Sequence, residues 1–389
     1  LFRRIPRVLA AAAVLAAAVT ACSTTPQADS SGGSGSAPSA TGAAGAPQKV
    51  TLQLQWFTQG QFAGYFAAID QGFYAKQGLD VQIKEGGVDI VPQTVLAQGQ
   101  ADYAIAWVPK ALASREQGAG ITDVAQVFQR SGTYQVSFKD KNINAPADLR
   151  GKKVGNWGFG NEFELFAGMT QAGLQPSDVT LVQQQFDMQA LLSGEIDAAQ
   201  AMSYNEYAQV LEAQNPATGQ LYQPSDFTVL NWEDVGTAML QDAIWANTER
   251  LSSDPAYQET TTKFIAASLQ GWAYCRDNAE SCRDIVVKAG SKLGASHQLW
   301  QINEVNKLIW PSPAAGAGTI DQAAWDRTVK VARTAVNADG QTVLTKDPDP
   351  EAFTNDYAAK AIELLKAEGV DVVGSGFQPT QVTLQPNGA

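Results

Sequence analysis

Histidine and cysteine are nearly missing from this sequence, with one His and three Cys in 389 residues. His297 stands alone, and no His, Cys or carboxylate cluster has metal-ligand spacing. Neither a nucleophile elbow nor a Walker loop occurs. These gaps argue against zinc hydrolases, α/β serine hydrolases and P-loop enzymes, and no catalytic residue, metal or cofactor is expected. Basic residues are also short: 27 Lys and Arg face 39 Asp and Glu, for a net charge of −12. Arg3, Arg4 and Arg7 fall in the first 21 residues, which hold no acid, so the remainder stands at −15. So acidic a chain is a poor partner for nucleic acid or for an anionic lipid surface.

Long apolar runs are lacking as well. Residues 8–19 form a run of twelve, where a bilayer span needs about 20. Behind three arginines, that run fits a signal peptide over 1–21. It closes in Val19-Thr20-Ala21-Cys22, which resembles the lipobox of bacterial lipoproteins, with Cys22 as the lipidated residue. Residues 22–48 are Ser, Gly, Ala, Thr and Pro with little else. They cannot bury a core and read as a flexible tether. The expectation is a lipid-anchored protein on the extracytoplasmic face of the cell membrane. An exported chain permits a disulfide between the remaining Cys275 and Cys282. On one unbroken helix their Cα atoms would lie about 10 Å apart, beyond bonding reach. A bond therefore requires a helix break at Asp277-Asn278; two buried thiols are the alternative.

What the chain does have is an aromatic, amide-rich turn. Residues 50–55 alternate apolar and polar as a strand does, and 63–77 read as a helix closed by Gly78. Between them lie Trp56, Phe57, Gln61 and Phe62, with Tyr65 one turn on. Ligands of open α/β sheets sit outside the carboxyl ends of strands, so this turn is a candidate grip for a flat molecule. Phe57 and Phe66 serve equally as plugs between helix and sheet. Strand and helix patterns then alternate (79–84, 90–98, 101–107, 110–117, 121–129), which indicates βαβ units and a mostly parallel sheet. Residues 142–150 read as a crossing into a second α/β lobe, and 227–230 as the return. That places lobe 1 at 49–141 and 231–389, with lobe 2 inserted at 142–230 and a cleft between them. From 254 onward the pattern is helical.

Trp56 to Tyr74, Gly78-Leu79-Asp80-Val81, Gly86-Gly87, Asp148 to Val154, and Gly194 to Ala198 with Tyr204-Asn205-Glu206 resemble solute-binding proteins of ABC importers. The nearest branch is the one that binds thiamine pyrimidine precursors. The resemblance covers about residues 49–250 and implies a type II periplasmic-binding-protein fold, two lobes that close on a hinge. Carried over, the site falls at Trp56, Gln61, Phe62 and Tyr65, at the turn from Trp157 to Glu162, and at Tyr204 to Glu206. Thr58-Gln59 and Phe62 stand where the pyrimidine binders often carry Pro-Asn and a histidine, which keeps riboflavin binders in play. The expected partners are a small-molecule ligand, an ABC permease and its ATPase, bound by a monomer. The family's eukaryotic branch makes the pyrimidine from its own histidine and a pyridoxal cofactor, using a cysteine-rich motif that is absent here.

Trp56, Trp107 and Trp157 each close a predicted strand and could form a stacking sandwich; packing explains Trp107 equally well. Asn161 starts a helix, a position that favours anions, but Glu162 and Glu164 follow at once. With Asp187 and Glu206 they argue for a neutral or cationic ring bearing N–H donors and against an alkanesulfonate. Helix-dipole complementation is the competing account of the two glutamates. Arg130 could balance these acids or reach the ligand, and reads first as a structural ion-pair partner. A surface protein that signals through ligand-dependent contacts is the third reading, after binder and enzyme.

Overall fold

The computed structural model describes residues 46–87, 89–158 and 160–389. The expected signal segment, Cys22 and most of the tether lie outside the described residues. Among the described residues ten strands follow in chain order: β1 (Gln48–Gln53), β2 (Leu79–Lys84), β3 (Tyr103–Trp107), β4 (Ile121–Gln126), β5 (Thr133–Phe138), β6 (Lys153–Asn156), β7 (Thr180–Gln183), β8 (Ala199–Met202), β9 (Phe227–Asn231) and β10 (Asp242–Asn247). They form a five-stranded sheet ordered β2-β1-β3-β10-β4, a three-stranded sheet β8-β5-β9 and a pair β6-β7.

In the large sheet β1 runs parallel to β2 and β3, as the βαβ pattern predicts. β10 is antiparallel to both β3 and β4. Its register sets Asp242, its first residue, against Trp107, the last residue of β3. An antiparallel strand thus delivers its amino end to the edge where the parallel strands finish. This geometry builds the site.

Several expectations shift. The helix foreseen over 63–77 breaks into Ala63–Asp70 and Phe73–Lys76 around Gly72, which takes φ 72°, a left-handed conformation cheap only for glycine. Trp56 lies three residues past the end of β1 rather than closing it. β5 was not foreseen, and the sequence read 227–230 as a return to the first sheet. β5 pairs with β8 and β9 instead. Sheet membership therefore changes over 127–132 and again over 236–241. The local pattern of a half-polar strand cannot say which sheet it will join.

The helix Pro255–Asp277 packs on the large sheet and against Ala63–Asp70. Tyr74, Phe264, Tyr103 and Tyr257 stack in series, with centroid separations of 5.4, 4.3 and 5.5 Å. The two helices approach through Gly64 and Gly271: a Cβ added at 271 would lie 2.0 Å from the Gly64 carbonyl oxygen. The long helix stops at Asn278, Ala279–Lys288 follows, and Cys275 and Cys282 form a disulfide across the break with Cα atoms 5.4 Å apart. The break falls where the bond required it. Among the described residues no helix is long and apolar enough to cross a membrane.

The helix contact gives a test. Gly271→Ala forces backbone apart in a packed core and should lower stability by about 1–3 kcal/mol in denaturant unfolding. An unchanged midpoint would show that the two helices are not held at this separation.

Candidate functional site

A cavity of about 650 Å³ opens at the carboxyl edge of the large sheet. Seven of the expected residues line it: Trp56, Gln61, Trp107, Trp157, Asn161, Tyr204 and Glu206. They come from the β1 turn, the end of β3, the turn after β6 and the start of the helix Glu206–Glu212. Trp157 is fixed by its indole N–H donating to the Gln185 carbonyl at 3.2 Å. Trp56 contacts Phe57 and, across the mouth, Phe186, with centroids 5.2 and 4.8 Å away.

Four expected residues lie elsewhere. Phe62 and Tyr65 are wholly buried in the core, and Tyr65 meets Trp272 edge-on at 5.7 Å. They are three positions apart at a helix start, so they share the face turned to the long helix, while Gln59 and Gln61 face the cavity. Glu162 folds back on its own turn and accepts the Gly160 N–H at 3.0 Å. Asp187 is exposed and accepts the Gln189 N–H at 2.9 Å, closing a local turn. Arg130 reaches the carbonyls of Lys307, Leu308 and Pro311, closing the end of the helix Ala295–Ile309.

Of the contributors that were missed, three stand out. The first is Asp242, almost fully buried behind the aromatic wall. It accepts the Trp107 indole N–H at 2.8 Å, the Gln55 amide at 2.6 Å and the Gln61 amide at 3.0 Å. Burial pushes its carboxyl up to about 7, against the pull of those three donors. The signal was a lone acid heading an apolar strand, Asp242-Ala-Ile-Trp-Ala. The second is Lys110, whose ammonium donates to Asn161 Oδ1 at 2.6 Å and lies 5.0 Å from the Trp107 ring. Burial lowers it to about 8. The third is Phe186, which faces Trp56.

The carboxylate rim is thus thinner than expected. Of the four acids singled out, Glu206 alone lines the cavity, and Asp89 joins it at the exposed mouth. Glu206 accepts the Met202 N–H at 2.9 Å and the Asn205 amide at 2.7 Å. Burial raises it to about 7. With Lys110 also present, the lining carries both signs.

Glu164 does something else. Its carboxyl accepts the Ser131 hydroxyl at 2.8 Å and the Met239 N–H at 2.7 Å. It therefore ties together both segments that pass between the sheets, which helix-dipole complementation does not require. Gln241 joins the same segments, accepting from Gly132 N–H and donating to Thr133 Oγ1.

The family model described as NMT1/THI5 like matches residues 59–281, more than half of the chain. The chain belongs to the NMT1/THI5-like family. It is 28% identical over 373 residues to the riboflavin-binding protein RibY of Chloroflexus aurantiacus, covering 90% of this chain and 97% of that one. The formylaminopyrimidine-binding protein of Halalkalibacterium halodurans is 24% identical over 246 residues, covering 62% and 70%. Two further relatives are matched over less than half their length. One is a Haemophilus influenzae protein named for thiamine biosynthesis, at 30% identity over 155 residues, 39% of this chain and 49% of that one. The other is the Schizosaccharomyces pombe 4-amino-5-hydroxymethyl-2-methylpyrimidine phosphate synthase, at 25% identity over 150 residues, 38% and 43%. The periplasmic aliphatic sulphonate binding protein SsuA of Escherichia coli superposes with a TM-score of 0.54 at 18% identity, covering 87% of this chain and 94% of that one. The family member described here has the periplasmic-binding-protein fold.

Burial raises the Glu164 carboxyl from 4.5 to about 8. Between those values the native state holds a proton that the unfolded state has lost, so stability falls as pH rises through this window. Glu164→Gln keeps an acceptor for the Met239 N–H and removes the titration. Its stability, measured by denaturant unfolding from pH 4.5 to 8, should vary less with pH than that of wild type. Parallel profiles would refute the assignment.

Proposed function

We propose that this chain is the extracytoplasmic solute-binding component of an ABC importer. Its ligand, on this reading, is a small planar nitrogen heterocycle, first an aminopyrimidine of the thiamine-precursor kind. The large sheet and the sheets over 133–231 act as two lobes, hinged at 127–132 and 236–241, where Glu164 and Gln241 hold the crossings side by side. The lipid on Cys22 and the tether hold a monomer near a permease and its ATPase.

The observation that carries the reading is the cavity wall. Three indoles and Tyr204 supply flat faces, while Gln59, Gln61, Gln93, Asn161 and Glu206 supply in-plane hydrogen bonds. Flat apolar walls with a few convergent polar groups suit an aromatic ring that has donors and acceptors on its edge. Glu206 favours a ring that donates N–H or carries a proton. A second reading, a flavin, is favoured by the volume of about 650 Å³, more than one ring fills, and by the end-to-end match to RibY. The synthase reading draws on a partial match alone, and the chain's one histidine is bonded to Glu212 and Asn205.

Tryptophan fluorescence should be quenched saturably by 4-amino-5-hydroxymethyl-2-methylpyrimidine or by riboflavin, and not by taurine. Trp56→Ala should weaken that binding about tenfold, since one stacked ring contributes about 0.5–1.5 kcal/mol beyond its burial. Saturable binding of taurine with no response to either heterocycle would overturn the reading.

A further inference from the structure

Behind Glu206 lies a chain of buried side chains. Asn205 donates from Nδ2 to Glu206 Oε1 at 2.7 Å. Its Oδ1 lies 2.9 Å from His297 Nε2, and His297 Nδ1 lies 2.8 Å from Glu212 Oε1. Relative exposures along the chain are 4% for Glu206, 7% for Asn205, 1% for His297 and 5% for Glu212. His297 belongs to the helix Ala295–Ile309, and the other three to Glu206–Glu212 and the residue before it. Gly388 closes the back: a Cβ there would lie 2.9 Å from His297 Cβ and 3.2 Å from Glu212 Oε2.

The polarity of this chain is dictated by donor chemistry. Above about pH 7 the Glu206 carboxylate is ionised and only accepts, so the Asn205 NH2 faces Glu206 and its carbonyl faces His297. His297 Nε2 must then donate. One more proton sits in the link between Nδ1 and Glu212, and whichever atom holds it, that pair carries no net charge. Glu206 is therefore the one net charge the chain presents to the cavity. Its Oε1 is held by Asn205 and its Oε2 by the Met202 N–H. Each oxygen keeps a further lone pair.

Resting on the heterocycle reading, we propose that Asn205 is a positioning residue. Held from behind by His297, its amide fixes the Glu206 carboxylate to receive an N–H edge of the ligand. The ligand class this selects is a ring bearing an amino group or ring N–H, and a fully N-alkylated ring is disfavoured. Asn205 also lines the cavity, so its loss opens one polar patch of wall but leaves the aromatic walls in place. The carboxylate can then rotate about its stem, and the donor edge loses its partner.

The test is a binding comparison on the full chain. 4-Amino-5-hydroxymethyl-2-methylpyrimidine is set against its 4-dimethylamino analogue, and riboflavin against its N3-methyl derivative. Wild type should prefer the N–H parent by about tenfold or more, the range of a hydrogen bond to a charged group. In Asn205→Ala and in Glu206→Gln that preference should shrink to within about twofold, the parent losing far more affinity than the methylated ligand. The double variant should be no worse than Glu206→Gln. Asn205→Ser is the second variant, with the same expected outcome, should the alanine form not fold. Equal losses for parent and methylated ligands, or losses that add in the double variant, would overturn the role of Asn205. So would a wild type that binds a parent without preferring it. A wild type that binds neither parent would bring down the heterocycle reading itself, and this inference with it.

Discussion

The arrangement of the site depends on one buried carboxylate. Asp242 gathers donors from three places in the sequence, and two of those donors belong to the first loop of the fold. A buried acid is costly unless several donors meet it. Here Gln55 and Gln61 bracket the aromatic turn, and Trp107 ends the neighbouring strand. The same bonds that satisfy Asp242 fix the turn in place and set the tilt of an indole. Removing the acid would leave the buried Gln61 amide and Trp107 indole N–H without their acceptor, each with a desolvation cost. What looks like a ligand-binding loop is thus anchored from inside the sheet.

The reversal of β10 makes that anchor possible. In a wholly parallel sheet the amino ends of strands lie on the edge away from the ligand. An antiparallel strand between β3 and β4 brings its leading residue to the ligand edge, in register with Trp107. The crossings serve the same end. Residues 127–132 and 236–241 run side by side, held by Glu164 and Gln241. A carboxyl that bonds both crossings limits how far one sheet system can shift without the other.

The sequence revealed strands and helices with strong local period and hid what depends on partners far along the chain. β2 over 79–84 was legible to the residue, because alternation and the flanking glycines are local signals. The break at Asn278 was legible too, because a disulfide seven residues apart demands it. β5 escaped notice, since Thr133-Tyr-Gln-Val-Ser-Phe carries half polar residues that are buried in a three-stranded sheet. In the site, Trp107 and Trp157 were legible from their strand ends, whereas Trp56 reaches the cavity from a loop three residues past β1. Phe62 and Tyr65 were assigned to the cavity because proximity in sequence says nothing about which face of a helix they share. Asp242 and Lys110 were missed for the opposite reason: a lone acid heading an apolar strand and a lysine in a helix do not say where they point, and only the sheet order and the packing of the 108–116 helix bring them to the cavity.

Charge at the cavity is set by internal pairing rather than by a ring of acids. Glu162 does not project toward a ligand; it takes the Gly160 N–H of the very turn that would otherwise greet an anion. That turn therefore carries its own counter-charge. Lys110, the basic group lining the cavity, is already engaged by Asn161. An ammonium has three donors, so this one bond does not use up Lys110, and the lining keeps charge of both signs. Two of the indoles beside these groups are set by Asp242 and by the Gln185 carbonyl. Charge at this site is therefore governed less by a rim of carboxylates than by bonds the protein makes among its own side chains and backbone.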